Sequence, residues 1–203
     1  MSDLIYANSA ISAYMSEHML NQPRIHALIR AKTWEQTSAL LAECDYQIES
    51  TNIDMIIDSE HSRAKDKFIK LCPDVALNNC VLAIFDFTGE DLNDDTLSKS
   101  EKALYATLSA NIDSIKYEKA REYFKTYTQA FTARKKIPDK ALFNIASDMK
   151  YDNTTIGPIF YWYVLKQSEF IVVKTILLGK QLEFPSEKIL TSLKKGGLYE
   201  RFN

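Results

Sequence analysis

The sequence predicts an all-α protein. Gly and Pro are scarce, at five residues each in a chain of 203, and β-domains need many tight turns that draw on both residues. Apolar residues recur at helical spacing through much of the chain. The hydrophobic fraction of 46% and the charged fraction of 26% are typical of a globular protein that buries its own core. A folded multi-helix bundle is therefore expected.

Turn residues separate the predicted helices of the first half of the chain. Pro23 suits the first turn of a helix, and Thr33 followed by Gln36 forms a capping-box pattern. Pro73 is expected to end the fourth helix. With these boundaries, apolar stripes of helical period predict helices over residues 3–20, 24–32, 34 to about 45, and 54–71.

The second half contains one ambiguous run and three predicted breaks. Residues 81–85 could form a short strand or part of a helix, and the helical neighbourhood favours a helix. The acidic stretch 88–95 and the polar stretch 152–155, which leads into Gly157–Pro158, are expected to be breaks. Gly179 is expected to cap the C-terminus of a long helix. Helices are predicted over residues 99–111, 117–134, 139–150, 159–178 and after Pro185.

Two parts of the chain share a local pattern, in which a helix is followed by a small residue with Lys, a short turn and an amphipathic helix. The pattern begins at 28–32 in one part and at 177–180 in the other. Because the match is loose, internal duplication and chance similarity both stay open. The chain is predicted to be a single domain over residues 1–203. Two possible helical units, at about 1–87 and 117–203, would be joined by the acidic loop and a short helix.

Charge and cysteine content exclude several classes of function. The net charge is −2, and no basic block could neutralise a run of phosphates, so nucleic-acid binding is not expected. The most apolar stretch, 156–178, is interrupted by Lys166 and Glu169, which predicts a helix buried in protein rather than a membrane span. Three cysteines without a CxxC pair, and an N-terminus without a secretion-signal pattern, predict free thiols in a reducing cytosol.

Two motifs are similar to ligand sites but lack required residues. Gly179–Lys180 is similar to the end of a phosphate-binding loop, but Gln181 stands where Ser or Thr is needed and the upstream glycine is missing. The acidic stretch has oxygen ligands at calcium-loop spacing, but Thr96 replaces the turn glycine and Lys102 replaces the bidentate glutamate. The residues at that spacing are Asp91, Asn93 and Asp95.

The histidines form no recognisable catalytic pattern. His18, His26 and His61 are accompanied by no HExxH motif. A zinc or nucleophilic site would need distant residues to meet in space. The sequence predicts no catalytic, cofactor-binding or metal-binding residue and no cofactor, so function is expected to reside in surfaces.

The C-terminal third carries a family resemblance. Residues 156–190 resemble the closing segment of the C subunit of V/A-type ATPases, which is called d in eukaryotes. In that family a Gly-containing loop precedes an apolar helix with a Glu-rich centre, followed by a Gly–Lys turn and a proline-led helix. Residues 6–10, 28–46 and 72–87 are similar to earlier segments of the family, in the same order. The matching C-terminal positions are Gly157, Glu169, Lys174, Ile176, Gly179, Lys180, Pro185, Glu187 and Ile189.

The chain also departs from the family pattern. Family members are longer and contain three related helical units, whereas this chain compresses the middle between Thr88 and Lys116. Val172 and Lys174 stand where the family has a polar Asn and an Arg. This chain is therefore identified as a shortened relative of that family, and the residues that contact partners are not expected to transfer position by position.

The resemblance implies a non-catalytic role. It implies a funnel-like all-α bundle that couples the central stalk, with its D- and F-type subunits, to the proteolipid ring of an H⁺- or Na⁺-transporting ATPase or ATP synthase. Such a subunit would lie peripherally on the cytoplasmic face of the membrane, without inserting into it. One alternative is a free-standing cytosolic helical adaptor derived from that family, and another is an enzyme that uses the histidines.

Overall fold

Every regular element in the described part of the chain is helical. The computed structural model describes residues 2–87, 98–132 and 141–203, and it confirms the prediction of an all-α, multi-helix bundle. Short 3₁₀ turns follow the sixth and tenth helices, at Ile112–Ser114 and Tyr199–Phe202. The helices are α1 (Ser2–His18), α2 (Gln22–Arg30), α3 (Trp34–Glu43), α4 (Ile53–Leu71), α5 (Val75–Phe85), α6 (Lys99–Asn111), α7 (Glu118–Thr132), α8 (Ala141–Met149), α9 (Gly157–Gln181) and α10 (Ser186–Lys195).

Side-chain caps begin the five consecutive helices α2 to α6. In each of them a polar residue directly before the helix accepts a hydrogen bond from the backbone N–H three residues later, which satisfies one of the unpaired donors of the first turn. The capping box predicted at Thr33 forms only in part. Thr33 caps the Gln36 N–H, but the Gln36 side chain accepts from the Lys32 N–H instead of from Thr33. The five caps are Asn21, Thr33, Asn52, Asp74 and Ser98.

Helix α9 forms the centre of the bundle. Eighteen of its 25 residues are buried, and it packs against α1, α2, α4, α8 and α10. A helix that is apolar on nearly all sides must be surrounded by protein, which is what the stretch 156–178 predicted. Among the described residues, α9 shares its most extensive contact with α4.

Two predicted boundaries of α9 are wrong. Gly157 and Pro158 were expected to break the chain, but they are the first two residues of the helix, where a missing proline N–H costs nothing. Gly179 was expected to cap the C-terminus, but the helix continues to Gln181. Both glycines serve close packing: a Cβ on Gly157 would collide with the Met149 carbonyl, and one on Gly179 would lie 2.7 Å from Ile189 Cγ1.

Other predictions fall partly outside the described residues. The ambiguous run 81–85 is part of α5, as favoured. The acidic stretch 88–95, with its calcium-like spacing, and the start of the helix predicted at 139–150 lie in ranges that the structure does not describe. The two-unit organisation stays a prediction, although α1 and α4 from one proposed unit pack directly on α9 from the other.

None of the described helices is both long enough and apolar enough to cross a membrane. Helix α9 has the length, but Lys166 and Glu169 lie at its middle and are buried inside the protein. The interruption noted in the sequence therefore marks an internal polar site, which is described next.

Candidate functional site

A buried ion pair lies at the centre of α9. Lys166 and Glu169 are 2% and 0% exposed, and the Lys166 ammonium contacts one oxygen of the Glu169 carboxylate. The other carboxylate oxygen accepts a hydrogen bond of 2.7 Å from the backbone N–H of Leu20. Glu169 thus connects the central helix to the junction between α1 and α2. A buried charge requires such partners, because water no longer solvates it.

Aromatic rings surround this pair. The Lys166 ammonium lies 4.5 Å from the centroid of the Tyr46 ring, within the range of a cation–π contact. The Tyr46 hydroxyl has no partner in normal hydrogen-bonding geometry. Burial, together with the negative charge of Glu169, raises the pKa of Tyr46 well above its ordinary value, so this phenol stays neutral.

A second polar cluster extends from the pair towards the surface. Glu60, 1% exposed, accepts from the Gln47 N–H at 2.7 Å and from Arg63 at 2.6 Å. Arg63 also contacts Asp45 at 3.3 Å, and the Tyr14 hydroxyl donates to Asp45 at 2.7 Å. These contacts join α1, α4 and the segment between α3 and α4. They lie beside a cavity of about 180 Å³ that Lys166 also lines.

The charges of this second cluster are fixed by their neighbours. Partial burial opposes ionisation of Asp45, but the Tyr14 hydroxyl and the Arg63 guanidinium outweigh it and hold the pKa of Asp45 below its ordinary value. Burial, with the Asp45 hydrogen bond, raises the pKa of Tyr14. The Lys67 ammonium lies 3.6 Å from the centroid of the Tyr14 ring. The members of the cluster therefore satisfy one another's charges and hydrogen bonds, and they stiffen the contact between α1, α4 and the segment between α3 and α4.

A surface groove lies at the C-terminal end of α9. The two similar sequence patterns, which begin at 28–32 and at 177–180, meet there. The Lys180 ammonium donates to the carbonyl of Ala31, which joins the end of α9 to the turn between α2 and α3. The groove encloses about 600 Å³. We call it the cationic groove, defined by Arg30, Lys32 and Lys180 with the apolar residues Trp34, Leu177 and Phe184. Among its described lining residues one is acidic, Glu183, so the positive charges outnumber the negative one. Exposed apolar residues continue beyond it at Leu178 and Leu182.

Close packing between α9 and α10 shapes this groove, and it can be tested at Gly179. We expect Gly179→Ala to lower the free energy of unfolding by about 1 kcal/mol, because the clash with Ile189 outweighs the better helix propensity of alanine. In an Ile189→Ala background the clash is absent, so Gly179→Ala should instead stabilise the protein by about 1 kcal/mol. Urea unfolding of the four proteins measures both changes. The same sign in both backgrounds would contradict the packing described here.

Each histidine contacts an aromatic residue, and the three cysteines are free thiols. His18 packs on Tyr14, His26 hydrogen-bonds the Tyr199 hydroxyl at 2.9 Å, and His61 packs on Phe170. In the ranges 2–87, 98–132 and 141–203, no group of three His, Cys, Asp or Glu residues is placed to hold a metal ion. Burial raises the pKa of all three thiols, to about 11 at Cys44 and about 12 at Cys72 and Cys80.

Sequence reasoning singled out Glu169, Gly179 and Lys180, but it assigned none of them the contacts described here. It missed Glu60, Arg63 and Asp45. The spacing of three residues between Lys166 and Glu169, and between Glu60 and Arg63, was the available signal, since such residues face each other on a helix. Comparison of the chain with protein-family models, with curated proteins and with solved structures gives no match.

Proposed function

We propose that this protein is a non-catalytic coupling subunit of a rotary V/A-type ATPase, placed between the central stalk and the proteolipid ring. The observation that supports this most directly is the position of Glu169. The family resemblance places a glutamate-rich centre in the last long helix, and in this chain that glutamate is the buried acceptor that connects α9 to the N-terminal helices.

The segments that carry the resemblance also pack on one another. Helix α2, in the N-terminal segment, contacts both α9 and α10, and Lys180 donates to Ala31. Phe85, from the middle segment, packs edge-on against Tyr163 of α9 with ring centroids 5.8 Å apart. Residues from separate parts of the sequence therefore form one core. A shortened relative that keeps these family segments as a set is expected to pack them in this way.

A coupling subunit must transmit force without deforming. Close-packed interiors have low compressibility and transmit strain, and the buried rings around α9 supply such packing. Phe68 stacks on Tyr163 with ring centroids 4.3 Å apart, and Trp162 and Phe160 are fully enclosed beside them. The ion pair and its network add directional contacts that resist sliding between α1, α4 and α9.

We assign the cationic groove to contact with the stalk. It combines half-exposed aromatic residues with positively charged ones, and aromatic residues and Arg are enriched at the centres of protein interfaces. Phe184 is 39% exposed, and the Lys188 ammonium lies 3.6 Å from the centroid of its ring. An acidic and apolar surface on a stalk subunit would complement this groove.

The test is a pull-down of the tagged protein from its native membranes in mild detergent, with mass spectrometry of what accompanies it. We expect the D- and F-type stalk subunits and the proteolipid together. Recovery of neither, with the rest of the ATPase intact in the same extract, would overturn the proposal and favour a free-standing adaptor.

Variants of the groove test its assignment separately. Phe184→Glu combined with Arg30→Glu should reduce recovery of the stalk subunits at least about tenfold, because it removes an aromatic contact and reverses a charge. Lys119→Glu, an exposed charge reversal on α7, is the matched control and should leave recovery unchanged. If the groove variant and the unmodified protein recover the stalk subunits equally, the stalk contacts another surface of the protein.

A further inference from the structure

An exposed apolar stripe runs along the C-terminal half of α9. Ile171 is 52% exposed, Leu178 38% and Leu182 61%, although most of the helix is enclosed. The Leu182 N–H still donates to the Leu178 carbonyl, so the helical path includes Leu182. With Thr175, these residues are separated by four, three and four positions, which is the a/d spacing of a coiled coil. We call this surface the α9 stripe, defined by Ile171, Thr175, Leu178 and Leu182.

The helix beside one edge of the stripe, α4, presents carboxylates. Asp54 pairs with Lys174 of α9 at 2.7 Å, which places the N-terminal half of α4 along this edge. Asp58 is exposed one turn further along α4. The hydrogen bond and the charge of Asp54, followed by the charge of Asp58, raise the pKa of Lys174. This edge therefore carries two carboxylates and one ammonium group.

The helix beside the other edge, α10, is basic, with one carboxylate and three ammonium groups. Ile189 packs on Gly179, and Gly196 lies beside Ile171 in the lining of a surface cavity, so α10 runs antiparallel to α9. Lys174 and Gly179 are about 140° apart around α9, and the stripe occupies the arc between them. It therefore separates an acidic edge from a basic one. The charged residues of α10 are Glu187, Lys188, Lys194 and Lys195.

An apolar stripe between edges of opposite charge is complementary to a second copy of itself. A two-fold axis parallel to α9 places α10 of each copy opposite α4 of the other, so that unlike charges meet. A two-fold axis across α9 places α4 opposite α4 and α10 opposite α10, so that like charges meet. Juxtaposed like charges disfavour an interface, and two-fold dimers are the commonest oligomers. The charge pattern therefore selects a second copy in parallel orientation.

We propose that the isolated protein forms a two-fold dimer through the α9 stripe, with the two α9 helices parallel. In this arrangement Thr175 and Leu178 pack against the same residues of the second copy, as a and d residues do in a parallel coiled coil. Asp58 of each copy lies opposite Lys195 of the other, since both flank the part of α9 near Ile171. The inference does not rest on the coupling role, because it concerns the protein before it joins a complex.

Sedimentation equilibrium of the full-length protein measures the dimer. We expect a dissociation constant on the order of 10 µM, because one helix stripe with its two edges makes a small interface. Leu178→Glu should weaken the dimer at least about tenfold, since it places two carboxylates at the centre of the interface. Val75→Glu makes a similar change at a 70% exposed residue of α5 and is the matched control. A monomer at about 200 µM, or equal weakening by both variants, would overturn the proposal.

A disulfide test distinguishes the parallel from the antiparallel arrangement. Thr175 meets its own counterpart when the stripes are parallel, but it faces Leu178 when they are antiparallel. Thr175→Cys should therefore form an intermolecular disulfide on mild oxidation. The three native thiols are buried, and Ser16→Cys, at an exposed position of α1, is the control that should stay reduced. Equal cross-linking of the two variants would contradict the parallel dimer.

A charge exchange tests the edges. Asp58→Lys and Lys195→Asp should each weaken the dimer about fivefold, because each brings like charges together across the interface. The two changes combined restore unlike charges, so the double variant should dimerise within about twofold of the unmodified protein. Circular dichroism confirms that each variant is folded. Unchanged affinity in both single variants, or no recovery in the double variant, would overturn the proposed arrangement.

Discussion

Replacing Glu169 with leucine is expected to lower the free energy of unfolding by about 3–5 kcal/mol. The Lys166 ammonium, 2% exposed, would lose its carboxylate partner, and the Leu20 N–H would lose its acceptor. Removal of one member of a buried ion pair costs this much because an uncompensated charge remains in the protein interior. Urea unfolding followed by far-ultraviolet circular dichroism measures the change.

A double variant separates the charge from the packing. Lys166→Met combined with Glu169→Leu removes both members of the pair and leaves no unpaired charge at this position in α9. We therefore expect it to be at least about 2 kcal/mol more stable than Glu169→Leu alone. Lys174→Met is the matched control on the same helix. It removes a pair with Asp54 at 2.7 Å in which both side chains are largely exposed, and it should cost less than about 1 kcal/mol. Similar losses for Glu169→Leu and Lys174→Met would contradict the buried geometry.

The sequence was sufficient to predict the helices but not the role of the charges in α9. Lys166 and Glu169 served to argue against a membrane span, and Glu169 also carried part of the family resemblance, but their pairing was not predicted. Their spacing permits pairing on one helix face. Nothing local indicates that Leu20 supplies the second contact to Glu169, since the two residues are 149 positions apart. That contact depends on how α1 and α2 pack against α9, which periodicity does not specify.

Local sequence rules were also insufficient for the two glycines of α9, where they predicted structural roles that the glycines do not have. Local rules predicted a break at Gly157 and a helix end at Gly179, because glycine is common at both kinds of position. In the structure each glycine is helical and allows close approach, to Met149 in one case and to Ile189 in the other. A long apolar helix tolerates these residues because its neighbours, rather than its own propensity, provide most of its stability.

The candidate sites follow from the same packing. The cationic groove brings residues of the α2–α3 turn to the end of α9, and the second polar cluster joins Tyr14 of α1 to Asp45 and to Arg63 of α4. Each site combines side chains that are far apart in sequence. A single sequence indicates neither, whereas helix caps such as Asn21 and Asn52 are visible because capping involves residues only three positions apart.

Phe68→Ala is expected to lower the free energy of unfolding by about 3–5 kcal/mol, comparable to the effect at Glu169. Phe68 is fully buried on α4, and its ring stacks on Tyr163 of α9 with an interplanar angle of 16°. The substitution removes this contact and leaves a cavity at the most extensive helix–helix contact of the described structure. Urea unfolding measures the loss. The slope of the unfolding free energy against urea concentration is compared between variants, so that a change in stability is not confused with a change in the unfolded state.

Two further variants on α4 define what Phe68 contributes. Phe68→Leu keeps most of the apolar volume but loses the stacked ring, so its cost should be intermediate, at about 1–2 kcal/mol. Ile69→Ala, at the adjacent and 43% exposed position, is the matched control and should cost less than about 1 kcal/mol. If Ile69→Ala were as damaging as Phe68→Ala, α4 would have to present a different face to α9. If the α4 and α9 variants all give the expected values, one tightly packed contact joins the N-terminal and C-terminal helices. A coupling subunit requires such a contact, because it must transmit force without deforming.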